Sequence, residues 1–301
     1  MIKEIYETRY KQLLIIPFGM LAISLVLILS KLASTGEFIN KGVSLKGGVT
    51  ITLSHDEIID TFILENFLSS ELGIDVSVRS WGSGGKNLGV IVDAAIDTST
   101  QEFALEKTSE LISLLKSQLG DFTDDNYSVE TMGSSLSQSF FRETFRAIVL
   151  AFIFMGLVVF LYFRTFIPSI AVILAAFSDM VVTLAIVNLL GLELSTAGIA
   201  AFLMLIGYSV DTDILLTTKL LKQKGGSVSE KVYKAMKTGL MMSVTTIIAI
   251  STALFFTQSF VLKQIMIILL IGLFVDLINT WIQNVGILRW YLDNKSKKWV
   301  G

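Results

Sequence analysis

The chain contains no cysteine and a single histidine among its 301 residues, and only 17% of them are charged. Without cysteine there is no disulfide, no thiolate chemistry and no cysteine metal site. The one histidine, His55, falls in the first turn of a predicted amphipathic helix, where a solvated surface side chain is expected. The shortage of charge is the more telling deficit. Soluble domains carry about a quarter charged residues, whereas this chain couples its shortage to 52% hydrophobic residues and a mean hydropathy of +0.69. Membrane insertion follows. The formal net charge is −2, with acidic residues crowding positions 37 to 143 and lysines crowding 219 to 237, so there is no whole-chain basic footprint and no nucleic-acid partner is expected. The glycine cluster Gly82, Gly84 and Gly85 lacks the following Lys-Thr or Lys-Ser of a phosphate loop and joins two predicted strands, so it reads as a turn. No cofactor is expected.

What is present is long apolar runs. A bilayer core of roughly 30 Å needs about 20 predominantly apolar residues to cross as a helix. Six segments qualify: 13–29, 147–163, 166–190, 194–218, 238–262 and 264–288. The first follows Lys3, Arg9 and Lys11 but no A-x-A-like site comes after it, so an uncleaved anchor is expected. Short loops rich in lysine and arginine stay in the cytoplasm. The 219–237 connection holds six lysines and the tail holds Arg289, Lys295, Lys297 and Lys298, while the 191–196 and 257–263 connections hold only Lys263. Both termini are therefore expected in the cytoplasm of a multi-pass protein of the cell membrane. The expected division is a first span within 1–33, an extracytoplasmic domain over 34–140, spans two to six over 141–290 and a basic tail over 291–301. The lysine run also suits anionic membrane lipid.

The extracytoplasmic segment reads as α+β. Residues 48–53 alternate as a strand, and Ser54 with Glu57 opens a helix by capping-box spacing, running to about Glu71. Residues 74–80 and 88–94 read as strands, 100–119 as a helix and 127–132 as a last strand. The order is βαββαβ, that of a ferredoxin-like domain.

Ionisable groups inside a span are expensive, about 2.5 to 3.5 kcal/mol at the helix centre, and mark functional sites. Four aspartates qualify: Asp179 in the third span, Asp211 and Asp213 in the fourth, and Asp276 in the sixth. No lysine or arginine lies well inside a span. A carboxylate removed from water without a cationic partner favours its neutral form and so loads and releases protons. The competing reading is structural, with a protonated aspartate only bonding a neighbouring helix through Asn188, Thr245, Thr246, Asn279 or Asn284. Asp211 and Asp213 are about 200° apart around a helix, so they face different neighbours. Geometry alone leaves open which of them leads.

Two motifs extend this reading. Gly207-Tyr208-Ser209-Val210-Asp211-Thr212-Asp213 resembles the Gly-Tyr-Ser motif of the SecF family of protein-export membrane proteins, and Gly42-Val43-Ser44-Leu45-Lys46-Gly47-Gly48 resembles the Gly-x-Asp-Phe-x-Gly-Gly motif that opens the family's external domain. The order of one span, a domain of about a hundred residues and five spans is similar to that family over the whole chain. The resemblance implies a membrane α-helical fold of RND and SecDF type with six transmembrane helices and a ferredoxin-like domain between helices 1 and 2. It implies a non-enzymatic accessory subunit of the Sec export machinery that acts with SecD, the Sec translocation channel and the exported polypeptide, driven by an ion (proton) gradient. The bacterial pattern, Gly-Tyr-Ser-x-Asn-Asp-Thr, has its functional aspartate five positions after the glycine. Here that slot is Thr212, and the proton site carries over to Asp211 or Asp213, with Asp179 and Asp276 as secondary contacts or a relay. Ser44, Leu45 and Thr238 are further departures, and together with Asp276 and Asn279-Thr280-Trp281 they resemble the archaeal branch. The alternatives are an RND-type secondary transporter of a small molecule or lipid, and an intramembrane aspartyl protease, whose Tyr-Asp and Gly-x-Gly-Asp signatures Ser178-Asp179 and Val210-Asp211 do not match.

Overall fold

The computed structural model describes residues 9–55, 59–83, 86–98, 100–120, 122–123, 126–257 and 259–300. The chain runs through α1 (Ile15–Thr35), β1 (Gly48–Ser54), α2 (Thr61–Leu72), β2 (Val76–Ser83), β3 (Lys86–Ala94), α3 (Gln101–Leu119) and β4 (Tyr127–Met132). It continues through α4 (Ser134–Phe163), α5 (Phe166–Leu189), α6 (Thr196–Lys222), α7 (Val228–Phe256), α8 (Phe260–Ile278), a π-helical segment (Asn279–Asn284) and α9 (Val285–Val300). Among the described residues, six helical stretches are long and apolar enough to cross a membrane, the sixth running through α8, the π segment and into α9. This is a multi-pass membrane protein.

Capping explains where two of these helices differ from expectation. Hydropathy places the fifth span at 238–262, yet α7 starts ten residues earlier and ends at Phe256. Its start is set by Ser227, whose hydroxyl accepts from the Glu230 N–H at 3.2 Å in a Ser-x-x-Glu arrangement. Its end is set by the new start at Ser259, whose hydroxyl accepts from the Leu262 N–H at 3.4 Å. The six lysines expected on a long loop consequently lie mainly on helix ends, with only residues 223–227 connecting α6 to α7. Arg289, expected at the start of the tail, is 4% exposed within α9, its guanidinium 3.5 Å from the Ser229 hydroxyl.

Burial separates the spans into two classes. In α5 and α6, 56% of the apolar window is buried, and 44% in the sixth span, but only 6% in α4, 11% in α7 and 17% in the first. So α5, α6 and the α8–π–α9 helix form the core of the bundle, and the others turn apolar faces outward as a hydrocarbon solvent permits. Close approach within that core uses glycine: a methyl on Gly272 of α8 would meet Leu205 of α6 at 2.5 Å.

The four strands make one antiparallel sheet in the order β2-β3-β1-β4. One face packs on α2 and α3 through Ile51, Val78, Val92, Leu68, Leu111 and Leu115. The helix expected to begin at Ser54 begins instead at Thr61, because Asp60 is the cap: its carboxylate accepts from the N–H groups of Phe62 and Ile63 at 3.1 and 3.2 Å. His55 therefore precedes the helix and is half-buried in the connection, while Glu57 lies outside the described residues. Strands β2 and β3 extend further than expected, to Ser83 and from Lys86, and Gly84 and Gly85 lie outside the described residues.

The opposite face of the sheet is polar and looks onto the α5–α6 and α7–α8 connections. Thr50, Thr52, Arg79, Asp93 and Glu130 line a crevice of about 300 Å³ that Glu193 and Gln264 close from the helical side. Arg79 pairs with Asp93 and lies 3.4 Å from Glu193. The linker from α1 joins the same connection, as Gly42 N–H donates to Leu194 O at 2.9 Å and Leu194 N–H to Asn40 O at 2.6 Å. Asn188 braces this join through Phe38 O and Asn40 N–H and stays away from the aspartates. Two glycines of the early motif are required by the backbone. Gly47 and Gly48 have φ of +92° and +134°, and a methyl on Gly48 would lie 2.4 Å from Ala94 O.

Candidate functional site

Three of the four predicted aspartates converge in the middle of the helical core. Asp179 of α5, Asp213 of α6 and Asp276 of α8 are at most 1% exposed. Asp211 is not among them. It faces outward from α6, on the same side as Gly207 and the 38%-exposed Tyr208, beside a lateral crevice lined also by Leu215, Lys219 and Lys222. The 200° separation thus resolves into one aspartate inside and one outside, because α6 packs on α5 and α8 with its Ser209, Asp213, Leu216 and Thr217 face. The Gly-Tyr-Ser motif divides in the same way. A methyl added at Gly207 would meet nothing within 4 Å, whereas Ser209 turns inward.

Each inward carboxylate is held by hydroxyl and amide groups. The Ser209 hydroxyl donates to Asp179 Oδ2, and the Asn279 amide donates to Asp179 Oδ1 at 2.7 Å. The Asn284 amide donates to Asp213 Oδ1 at 2.7 Å. The Thr280 hydroxyl stands between two carboxylates, 2.9 Å from Asp213 Oδ1 and 3.0 Å from Asp276 Oδ1. Gln283 donates to the Ser178 hydroxyl at 3.3 Å. Among the described residues no lysine, arginine or histidine bonds any of the three aspartates, and no group of acidic or histidine side chains is arranged to hold a metal ion. The second oxygens of Asp213 and Asp276, and the amide oxygens of Asn279 and Asn284, are buried without a hydrogen-bond partner.

The π segment accounts for this gathering of partners. A π turn inserts one residue into a helix and is frequent at functional positions. Here it leaves Asn279, Thr280, Gln283 and Asn284 all fully buried, on the face that meets α5 and α6. Asn279 and Asn284 are among the partners that the sequence suggests. Thr245 and Thr246 are too, but their hydroxyls bond the backbone of Met241 and Met242 on an exposed face of α7. Gln283 and Ser178 escape sequence reasoning. The signal that could have found them is a run of uncharged polar residues inside an otherwise apolar span, Asn279-Thr280 followed by Gln283-Asn284.

Comparison with known proteins gives the family of the chain. Residues 114–294 match the family model described as protein export membrane protein SecD/SecF, C-terminal. The chain is 37% identical over 298 residues to the protein-export membrane protein SecF of Pyrococcus furiosus, covering 99% of this chain and 96% of that one. It is 40% identical over 296 residues to the SecF of Methanocaldococcus jannaschii, covering 96% and 98%. Its fold is similar to that of SecDF from Thermus thermophilus, a translocon-associated membrane protein, with a TM-score of 0.74, 21% identity and 94% of this chain covered. The chain spans 38% of the length of that solved protein. With full-length relatives at this level of identity and a family model matching most of the helical part, the chain belongs to the SecF family of protein-export membrane proteins.

Proposed function

We propose that this chain is an accessory subunit of the Sec protein-export machinery, one half of an assembly whose other half is a SecD chain, and that it uses an ion gradient, carried by protons, to promote translocation. The observation that carries the reading is the trio Asp179, Asp213 and Asp276, buried on three different helices and held by hydroxyls and amides. Buried carboxylates with no cation beside them are costly in a membrane core, which supports a role in proton loading and release. Asp213 is the loading carboxylate, and Asp179 and Asp276 are its relay partners. The names of the relatives, the SecDF-like fold and the 38% coverage of the solved SecDF chain support a SecD partner. The outward face of α6, with Gly207, Tyr208 and Asp211, is the surface such a partner would cover. The sheet domain between α1 and α4 is read as a ferredoxin-like unit on the extracytoplasmic side, over residues 34–140, where it meets the exported polypeptide beside the Sec channel. Both termini are then cytoplasmic.

The test is Asp→Asn at 179, 211, 213 and 276 in an export assay that depends on this chain and its SecD partner. Loss of stimulation is expected for D213N and D276N. Unchanged export in all four variants would refute ion coupling through this cluster.

A further inference from the structure

The Thr280 hydroxyl has one hydrogen and two carboxylate neighbours, at 2.9 and 3.0 Å. A hydroxyl donates once and accepts on its lone pairs. Both contacts are therefore hydrogen bonds only when one of the two aspartates is protonated and donates to Thr280 Oγ1 while Thr280 donates to the other. We propose that Thr280 is a proton relay between Asp276 and Asp213, and that the pair holds one proton between them. This rests on the reading of the cluster as the ion-coupling centre and adds to it the path the proton takes.

The partners on each side set the resting arrangement. Asp213 Oδ1 already accepts from the Asn284 amide at 2.7 Å, and a carboxylate with more donors is the better home for negative charge. Asp276 Oδ1 has the shared Thr280 hydroxyl, and the Ser209 hydroxyl, within reach of both Asp276 and Asp179, donates to Asp179 Oδ2. At rest the proton is on Asp276, in the order Asp276 O–H to Thr280 Oγ1, Thr280 O–H to Asp213 Oδ1. In the transfer, the Asp276 O–H bond breaks as the same proton forms a new O–H bond on Thr280, and the original Thr280 O–H bond breaks as its proton joins Asp213. Thr280 ends as a neutral hydroxyl pointing the other way, and one negative charge has moved from Asp213 to Asp276. No other reactant is needed.

The relay also has a place where it can be interrupted. Thr280 is four residues after Asp276 on the same helical body, so that contact travels with it, whereas Asp213 belongs to α6. The Thr280–Asp213 contact crosses a helix interface, and a hydrogen bond is lost beyond about 3.5 Å. Sub-ångström separation of α6 from the π segment is enough to open the path. Among the described residues, the other buried polar groups on these elements include Ser178 and Asp179 from α5, Ser209 and Thr217 from α6, and Asn279, Gln283 and Asn284 from the π segment, none of them cationic.

The experiment uses the complex with its SecD partner in proteoliposomes, with an imposed pH gradient and a lumenal pH dye. Thr280→Val removes the hydroxyl at nearly constant volume and Thr280→Ser retains it. Proton entry is expected to fall roughly a hundredfold in T280V and to stay near wild type in T280S, as a purely structural threonine would not require. If T280V conducts like wild type while D213N and D276N are inert, the relay is refuted and the coupling centre stands. If D213N and D276N conduct like wild type, the coupling reading fails and the relay with it. Equal losses in T280V and T280S would show a packing role and overturn the proposal. A second readout needs no T280V protein: the infrared C=O stretch at neutral pH should report one protonated carboxyl across Asp213 and Asp276, assigned with the D213N/D276N double variant. Zero or two would refute proton sharing.

Discussion

Gly239 of α7 is where the geometry of the aspartate cluster is most open to a small steric perturbation. A methyl group there would lie 2.4 Å from Trp281 Cζ2, 2.8 Å from Trp281 Cη2 and 3.3 Å from Thr212 Cγ2. Carbon atoms prefer roughly 3.5 to 4.0 Å, so the indole ring has to move by about an ångström or the helices have to part. Trp281 is 5% exposed and is packed among Leu216, Leu220, Val285 and Leu288, which limits its retreat. Overpacking of this kind costs about 1 to 3 kcal/mol, a fall in melting temperature of about 2 °C for each kcal/mol at this chain length. The displacement also has a direction. Trp281 follows Thr280 and Thr212 precedes Asp213, so the added methyl wedges apart the two elements that meet across the Thr280–Asp213 hydrogen bond. Gly239→Ala is therefore expected to lose both stability and export stimulation, although it adds only one methyl group on a neighbouring helix. Trp281→Phe should relieve the clash, so the double variant G239A/W281F should be more stable than the sum of the single changes by about 1 kcal/mol or more. The assays are thermal unfolding of the detergent-solubilised complex and the export assay. A G239A protein with unchanged melting and unchanged export would refute the packing argument, and an additive double variant would show that Trp281 is not the group displaced.

Two further outcomes concern the sheet and the helical connection it faces. Gly48→Ala combines φ of +134°, where an L residue is strained by about 1 to 3 kcal/mol, with a methyl 2.4 Å from Ala94 O, and it should unpair β1 from β3; faster amide exchange along β1 and β3, with helical content intact, is the expected measurement. Burial pushes the Glu193 carboxyl above the usual glutamate range, with Arg79 pulling it back. A raised folded-state value means that the folded protein holds this proton more tightly, so the contribution to stability is full below the ordinary glutamate value and is lost as pH rises through the raised one. Thermal stability followed upward in pH across that window should decline in the wild type and lose this component in Glu193→Gln; an unchanged slope in E193Q would refute the assignment.

Much of this protein can be read from composition and spacing. Six spans follow from apolar runs of about twenty residues, since a backbone in hydrocarbon must satisfy its own hydrogen bonds and a helix does so locally. The strand and helix order between the first two spans follows from local alternation and periodicity, and the aspartates stand out because charge is rare in such runs. Helix ends are harder, because Ser227, Ser259 and Asp60 act through single caps that compete with equally plausible starts nearby. The choice between Asp211 and Asp213 lies beyond any local signal. Both occur on one helix, and only the packing of α6 against α5 and α8 turns one inward and leaves the other outside. The π turn is likewise a tertiary outcome. Its irregular hydrogen bonding is poorer than that of an α-helix and persists because it brings Asn279, Thr280 and Asn284 to carboxylates more than sixty residues away in sequence, contacts that exist only once three helices have packed together.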